Sequence, residues 1–360
     1  MFETNYIIIF LINASVAVVF TLLIKRLAWK WKIIDQPKGW RKIHSRATPL
    51  LGGVAIFLSF FVGLLAVKEV LVVGKLEYHH WLGFFIGGLA VVIGGILDDK
   101  YDLKPSRQVI GPIVAVLAVI AGGVGVTKIS NPLNGLIYFD NWQLPLWQWG
   151  DTVYYFTVLA DIFTVLWLMA VMYTTKLLDG VDGLVTGVAG IGGFIIFLFT
   201  STTQYYQPDI ATASLIFTAC CAGFLIFNWN PAKIFLGESG SLLLGYILGV
   251  LAIISGGKVA IAVLILGIPI LDLVWTVIRR IKQGQNPFKT SDKKHLHHRL
   301  LDLGLSQKKT ALVFYGFAVL FGGSALFLQT EGKMIAIGLL LVVMFLVVAS
   351  FHLWDKKFSK

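Results

Sequence analysis

Apolar residues fall along this chain in long, nearly unbroken blocks separated by short polar loops. Eleven blocks are read, at about 5–27, 49–68, 82–97, 108–126, 157–177, 183–200, 209–228, 240–256, 258–278, 309–329 and 333–351. A helix crosses the bilayer core with about 20 apolar residues, whereas a membrane barrel shows short alternating strands. The pattern predicts an all-α polytopic membrane protein, a single domain over residues 1–360, with about eleven transmembrane helices, or ten. Blocks 82–97 and 240–256 are short and abut polar motifs, so their helices are expected to run on beyond the hydrocarbon.

Composition narrows the class. Hydrophobic residues make up 57% of the 360 and charged residues 14%, with a mean hydropathy of +0.81. Soluble domains carry roughly 25% charged residues, which excludes a soluble globular enzyme. A disordered chain needs the opposite balance. The net charge of +11 would point to nucleic acid in a soluble protein, but its placement says otherwise. Met1 to Tyr6 holds no Lys or Arg, while Lys25 and Arg26 close the first block. That predicts an outside N-terminus and no secretory signal. In this topology 25 of the 30 basic residues fall on the cytoplasmic side. Only Lys68, Lys75, Lys128, Lys258 and Lys333 fall on the other. The charge is a positive-inside signal, and no nucleic-acid partner is expected.

The outer side is poor in chemistry. Its longest connection, about 127–156, carries Tyr138, Trp142, Trp147 and Trp149, which suit an interfacial aromatic belt. Asn131–Pro132 and Asn134–Gly135 predict turns and a small hairpin. Cys220 and Cys221 adjoin inside an apolar block and indicate neither a disulfide framework nor a zinc site.

Acids are scarce, at 19, and six of them gather at block ends on the cytoplasmic face: Asp98, Asp99, Asp102, Asp179, Asp182 and Glu238. Carboxylates converging on one face repel unless cations neutralise them. Asp98–Asp99 closes a block in GGILDDKYDL. A solvated helix end would explain that pair alone; Mg²⁺, which bridges one or two carboxylates to phosphates, explains it with its neighbours. In TTKLLDGVDGLVTG, Asp179 and Asp182 share a helix face at i, i+3. Gly180 and Gly183 let a bulky anion approach there. In FLGESGSLLLG, Gly237, Ser239 and Gly240 open a helix, where free N–H groups bind anions, and Glu238 adds a carboxylate. SDKKHLHHRL brings His295, His297, His298 and Arg299. With no cysteine near and no HExxH pattern, they suit a diphosphate cradle better than zinc. The first cytoplasmic loop, DQPKGWRKIHSRATPLLGG, offers Asp35, Arg41, Lys42, His44 and Arg46, though any positive-inside loop would look similar.

The sum is Mg²⁺-dependent chemistry on a phosphate or diphosphate beside lipid; the Walker A loop of ATPases is missing. A transporter is the competing class, and Asp272, after Pro269, is the clearest acid inside an apolar block. Asp161 is placed nearer the outer end of its span.

In this order, DQPKGWRKIH, PLLGG, ILDDKYDLKP, LLDGVDGL, FLGESGS and PFKTSDKKHLHHRLLDLG resemble the polyprenyl-phosphate N-acetylhexosamine-1-phosphate transferases along the whole chain. The resemblance implies transfer of a sugar-1-phosphate from a UDP-sugar to polyprenyl (undecaprenyl) phosphate, with release of UMP. It also implies a plasma-membrane location with a cytoplasmic active site, a need for Mg²⁺ (or Mn²⁺), and the homodimers common in the family. HLHHRL is similar to the branch that transfers GlcNAc-1-phosphate to start cell-envelope glycans. The peptidoglycan branch, phospho-N-acetylmuramoyl-pentapeptide transferase, usually shows a triple histidine followed by Phe-Glu. UDP-GlcNAc is therefore the expected donor and UDP-MurNAc-pentapeptide the alternative.

Carried over by position, the resemblance makes Asp98, Asp99, Asp179 and Asp182 catalytic carboxylates, with Asp98 as base or positioning group for the lipid phosphate. It gives Asp182 and Glu238 to the metal. Lys42, His44, Lys176, Gly237, Ser239, His295, His297, His298 and Arg299 would bind substrate. Two positions depart from the family: Lys176 stands where Asn is usual, and Glu238 where the FMGDxGS motif has Asp. Both bear on metal affinity and sugar preference. A phosphate monoester has its second pKa near 6 and needs no strong base. Direct in-line attack is expected, without a covalent aspartyl-phosphate.

Overall fold

The computed structural model describes residues 5–37, 46–131, 135–149, 152–202, 205–256, 259–284 and 295–358. α1 (Tyr6–Lys30) opens at Asn5, whose side chain accepts the Ile8 N–H at 3.3 Å and so supplies a bond that the helix start lacks. A short antiparallel pair follows, β1 (Ile34–Asp35) with β2 (Thr48–Pro49). Next come α2 (Gly52–Ala66), α3 (Lys68–Leu71), α4 (Tyr78–Tyr101), α5 (Pro105–Gln108) and α6 (Ile110–Ala121). β3 (Lys128–Ser130) pairs with β4 (Leu136–Tyr138), and β5 (Gln143–Trp149) with β6 (Thr152–Thr157). The connection expected to hold one small hairpin thus holds two. The chain continues through α7 (Val158–Leu178), α8 (Leu184–Ser201), α9 (Pro208–Asn228) and α10 (Gly237–Ile254). It ends with α11 (Val259–Ile265), α12 (Gly267–Lys282), α13 (Leu296–Asp302), α14 (Gln307–Phe317), a π-helical turn at Ala318–Gly322, and α15 (Thr330–Phe358).

Every apolar block carries a helix, and α4 runs past both ends of its block, as expected. Among the described residues, α1, α4, α7, α8, α9 and α10 are each long and apolar enough to cross a membrane. The α11–α12 pair adds a seventh if counted as one bent span, while α2 and the α5–α6 stretch are apolar but shorter. The protein is a helical, multi-pass membrane protein. Block 258–278 is not the single helix its hydropathy predicted: α11 and α12 meet at 79°. Pro269 accounts for the break, because its ring would clash with the Ile265 carbonyl four residues back and it has no N–H to donate. In the first turn of α12 neither cost arises.

α9 and α10 lie at the centre of the bundle and α1 at its edge. Phe57, Phe60, Phe61 and Phe84 meet edge-on or tilted beside α10. Tyr246, fully buried, donates its hydroxyl to the Phe84 carbonyl at 2.9 Å and ties α10 to α4. Further along the same crossing, Gly95 lies so close to the Ser239 backbone that any Cβ would overlap it. That close approach brings the C-terminal end of α4 against the start of α10, and Asp99 to Glu238.

Candidate active site

The C-terminal ends of α4 and α7 and the N-terminal ends of α8 and α10 surround a cavity of about 710 Å³. Seven carboxyl residues line it: Asp35, Asp98, Asp99, Asp102, Asp179, Asp182 and Glu238. Lys176, Gln108, His298 and Gln307 line it as well. Motifs more than 260 residues apart, from Asp35 to His298, therefore share one chamber, and the acids gather there as their pattern predicted.

Each acid is held differently. Asp98 is buried, and its Oδ1 accepts from the Leu103 N–H at 2.9 Å and from Gln108 Nε2 at 3.1 Å. Asp99 Oδ1 accepts the Glu238 N–H at 2.9 Å, and the Ser239 N–H faces the same carboxylate. Its Oδ2 is buried with no hydrogen-bond partner among the described residues. Gly237, at φ +70°, turns the chain into α10 directly against this carboxylate. A Cβ there would be strained and would also press on Asp99. Asp182 Oδ2 accepts from Asn230 Nδ2 at 2.9 Å and the Ala232 N–H at 3.0 Å, while its own N–H donates to Gln307 Oε1 at 3.2 Å. Asp179 opens onto the cavity lumen yet lies deep in the protein. That desolvation, together with the carboxylates of Glu238, Asp99 and Asp182, holds its pKa well above the usual carboxylate range.

Lys176, on the last turn of α7, places Nζ 2.8 Å from Glu238 Oε2 on the first turn of α10. The contact is an ion pair rather than an aligned hydrogen bond. Nζ also donates to Gln108 Oε1 at 3.1 Å. The two positions that depart from the family motifs therefore touch each other. The positive charge that Lys176 brings is set against Glu238.

The histidines divide. His298 faces the cavity. His295 Nδ1 lies 2.9 Å from Asp272 Oδ2, and Asp272 Oδ1 accepts the Leu296 N–H at 3.2 Å. Asp272, the residue that favoured a transporter, is thus the anchor of the α13 start. Asp161 likewise accepts the Thr157 N–H, at 2.8 Å, at the start of α7. His297 is buried against Gly180 with neither ring nitrogen hydrogen-bonded among the described residues. Burial, then the neighbouring His298 and His295, push its pKa well below 6.5.

Of the site residues read from the sequence, Asp98, Asp99, Asp179, Asp182, Lys176, Gly237, Glu238 and His298 come together around the cavity. Ser239 does not line it, because its side chain is buried at the α4 crossing. At the start of α10, read from the sequence as an anion site, Asp99 accepts the Glu238 N–H. His295 and His297, read as substrate contacts, do not line the cavity and support its wall from behind. Arg299 sits on α13 behind His298 in sequence and is half-buried, outside the cavity lining. Lys42 and His44 lie outside the described residues. Gln108, Asn230 and Gln307 were missed, since lone amides at helix ends or in loops carry no motif.

No three His, Cys, Asp or Glu side chains form a ready metal-binding group among the described residues. The donors nevertheless suit a hard divalent ion. Four carboxyl residues converge, one oxygen of Asp99 is buried and unpartnered among the described residues, and Asp179 is repelled by three neighbours. Mg²⁺ completes its shell with water and substrate phosphates and needs only one or two carboxylates.

Residues 81–256 match the family described as Glycosyl transferase family 4. The chain is 31% identical over 362 residues to a probable undecaprenyl-phosphate N-acetylglucosaminyl 1-phosphate transferase of Bacillus subtilis (strain 168), covering 98% of this chain and 94% of that one. It is 28% identical to an undecaprenyl-phosphate alpha-N-acetylglucosaminyl 1-phosphate transferase of Thermotoga maritima, over 86% of each. It is 26% identical to a phospho-N-acetylmuramoyl-pentapeptide-transferase of Halalkalibacterium halodurans, over 90% of this chain and 96% of that one. The chain belongs to glycosyl transferase family 4, on the branch of the undecaprenyl-phosphate N-acetylglucosaminyl 1-phosphate transferases.

Proposed function

We propose that the protein transfers GlcNAc-1-phosphate from UDP-GlcNAc to polyprenyl phosphate, releasing UMP and leaving the sugar on a lipid diphosphate. The observation that carries this is the acid-lined cavity at one end of an apolar helical bundle, where a lipid-borne phosphate and a water-soluble donor can meet. The names of the relatives support the same substrates. We take all eleven apolar blocks as spans, the N-terminus as outside, and the cavity as facing the cytoplasm of a plasma-membrane protein. The 25-to-5 division of basic residues supports that orientation.

An oxygen of the lipid phosphate attacks the β-phosphorus of the donor. The bond from that phosphorus to the bridging oxygen breaks, and UMP leaves with the oxygen. Above pH ~6 the lipid phosphate is mostly a dianion, so the obstacle is bringing two anions together. A divalent ion such as Mg²⁺ or Mn²⁺, when bound, would supply charge to offset this and to stabilise the leaving phosphate. Asp182 and Glu238, with Asp99 and Asp179 beside them, would hold it. Asp98, fixed by Leu103 and Gln108, orients the attacking phosphate. His298 donates to the donor's diphosphate, and Arg299, Lys42 and His44 add positive charge. One step without an aspartyl-phosphate fits these roles.

The test is UMP release by detergent-purified protein given UDP-GlcNAc, with and without polyprenyl phosphate and with Mg²⁺ or excess EDTA. Release that needs both lipid and metal supports the reading. Release with UDP-MurNAc-pentapeptide instead would keep the mechanism and change the sugar. Flux into liposomes without UMP would favour a transporter.

A further inference from the structure

Among the described residues, the cavity lining sets seven carboxyl residues against one ammonium, that of Lys176. Lys176 is largely enclosed, with 17% of its side chain exposed, and its position is set from three sides. Glu238 Oε2 lies 2.8 Å away, Gln108 Oε1 accepts from it at 3.1 Å, and the Tyr173 ring centre lies 5.9 Å off. Its two polar partners each hold another acid: the Glu238 N–H binds Asp99, and the Gln108 amide binds Asp98. Asp98, Gln108, Lys176, Glu238 and Asp99 thus form one connected chain across α4, α5, α7 and α10.

We infer that Lys176 is a tethered cation that holds Glu238 and competes with a divalent ion for that carboxylate. The inference rests on reading the cavity as a metal-dependent phosphotransfer site. A divalent ion that takes Glu238 as a ligand must displace the ammonium or sit within a few ångströms of it. At an effective dielectric of about 20, a unit charge that close opposes a divalent ion by far more than tenfold in affinity, and water in the cavity reduces this. The ion-pair geometry makes Lys176 a positioning residue for Glu238. It also supplies fixed positive charge for an incoming phosphate, where ammonium acts as a point charge.

The test is Mn²⁺ binding to the full-length, detergent-purified protein without substrates, read from the free-Mn²⁺ paramagnetic resonance signal. Lys176→Met is expected to bind Mn²⁺ roughly tenfold tighter than wild type. Lys176→Arg, which keeps the charge, should bind as wild type does. In an Glu238→Gln background the Lys176→Met gain should vanish, because the contested ligand is gone. Lys176→Gln replaces Lys176→Met if the latter is not monodisperse. Equal binding by wild type and the neutral variant, including no binding by either, overturns the inference. So does a gain of the same size in the Glu238→Gln background. Lipid-dependent UMP release by wild type is measured alongside. Its absence would refute the transferase reading by itself, while the Mn²⁺ comparison still decides the role of Lys176.

Discussion

The acidic wall of the cavity and its histidine wall are built in opposite ways. Asp98, Asp99, Asp179, Asp182 and Glu238 all border the lumen, and neighbouring N–H groups hold Asp98, Asp99 and Asp182 in place. On the histidine wall, among the described residues, His298 alone reaches the lumen; His295 is committed to Asp272 and His297 is buried without a polar partner. One wall gathers charge that repels itself. The other spends two of its three imidazoles on placing the third. Mutations should therefore trade stability against function on the acidic side, and behave unequally among the histidines.

The largest effect is expected at Asp182. Asp182→Asn keeps an acceptor for Asn230 and Ala232 but removes the charge, and UMP release should fall by roughly 10³-fold without loss of expression, as when a charge-stabilising group is removed. Near-normal turnover would take Asp182 out of the mechanism. Asp179→Asn should lose activity on a similar scale while raising the Tm of the metal-free protein. The sign follows from its raised pKa: folding holds a proton that the unfolded chain releases above its ordinary value of 3.8, so stability is lost as pH rises from there toward the folded pKa. A lower Tm at neutral pH would mean that the repulsion is already relieved.

His298→Ala should cut kcat/KM by about 10- to 100-fold, the loss of one charge-assisted bond to a phosphate. Asp272→Asn should act more weakly on turnover and cost about 1–3 kcal/mol of stability by loosening the start of α13, read from denaturation of the purified protein. The smallest change in activity belongs to His297→Leu, which should instead alter the pH profile. The unfolded chain takes up a proton at His297 as pH falls through 6.5 and the folded chain does not, so wild type loses stability on acidification below that value. The Leu variant should show a flatter Tm profile between pH 7 and 5. Equal activity losses at His297 and His298 would erase the distinction between them.

The acidic wall was legible because its residues sit at the ends of apolar blocks, where few acids fall by chance. Hydropathy marks where a helix leaves the membrane, and Asp98, Asp179 and Glu238 stand at those points. Other parts were invisible for stated reasons. Hydropathy sums along the chain and is blind to direction, so the 79° break before Gly267 stayed hidden inside an apolar block. Asp272 read as an isolated acid because its partner lies 23 residues on, across a loop. The start of α10 read as an anion site, and a carboxylate from α4 accepts from its N–H groups. Lys176 and Glu238 looked like two independent departures until the packing of α7 on α10 joined them.

The central claim is that the donor's β-phosphate moves with the sugar to the lipid. The direct test is a single turnover with UDP-GlcNAc labelled at the β-phosphate, polyprenyl phosphate and Mg²⁺, followed by separation of lipid from nucleotide. The account predicts that the label leaves with the lipid diphosphate and that UMP is unlabelled. Label retained in UDP, with sugar alone on the lipid, would contradict it.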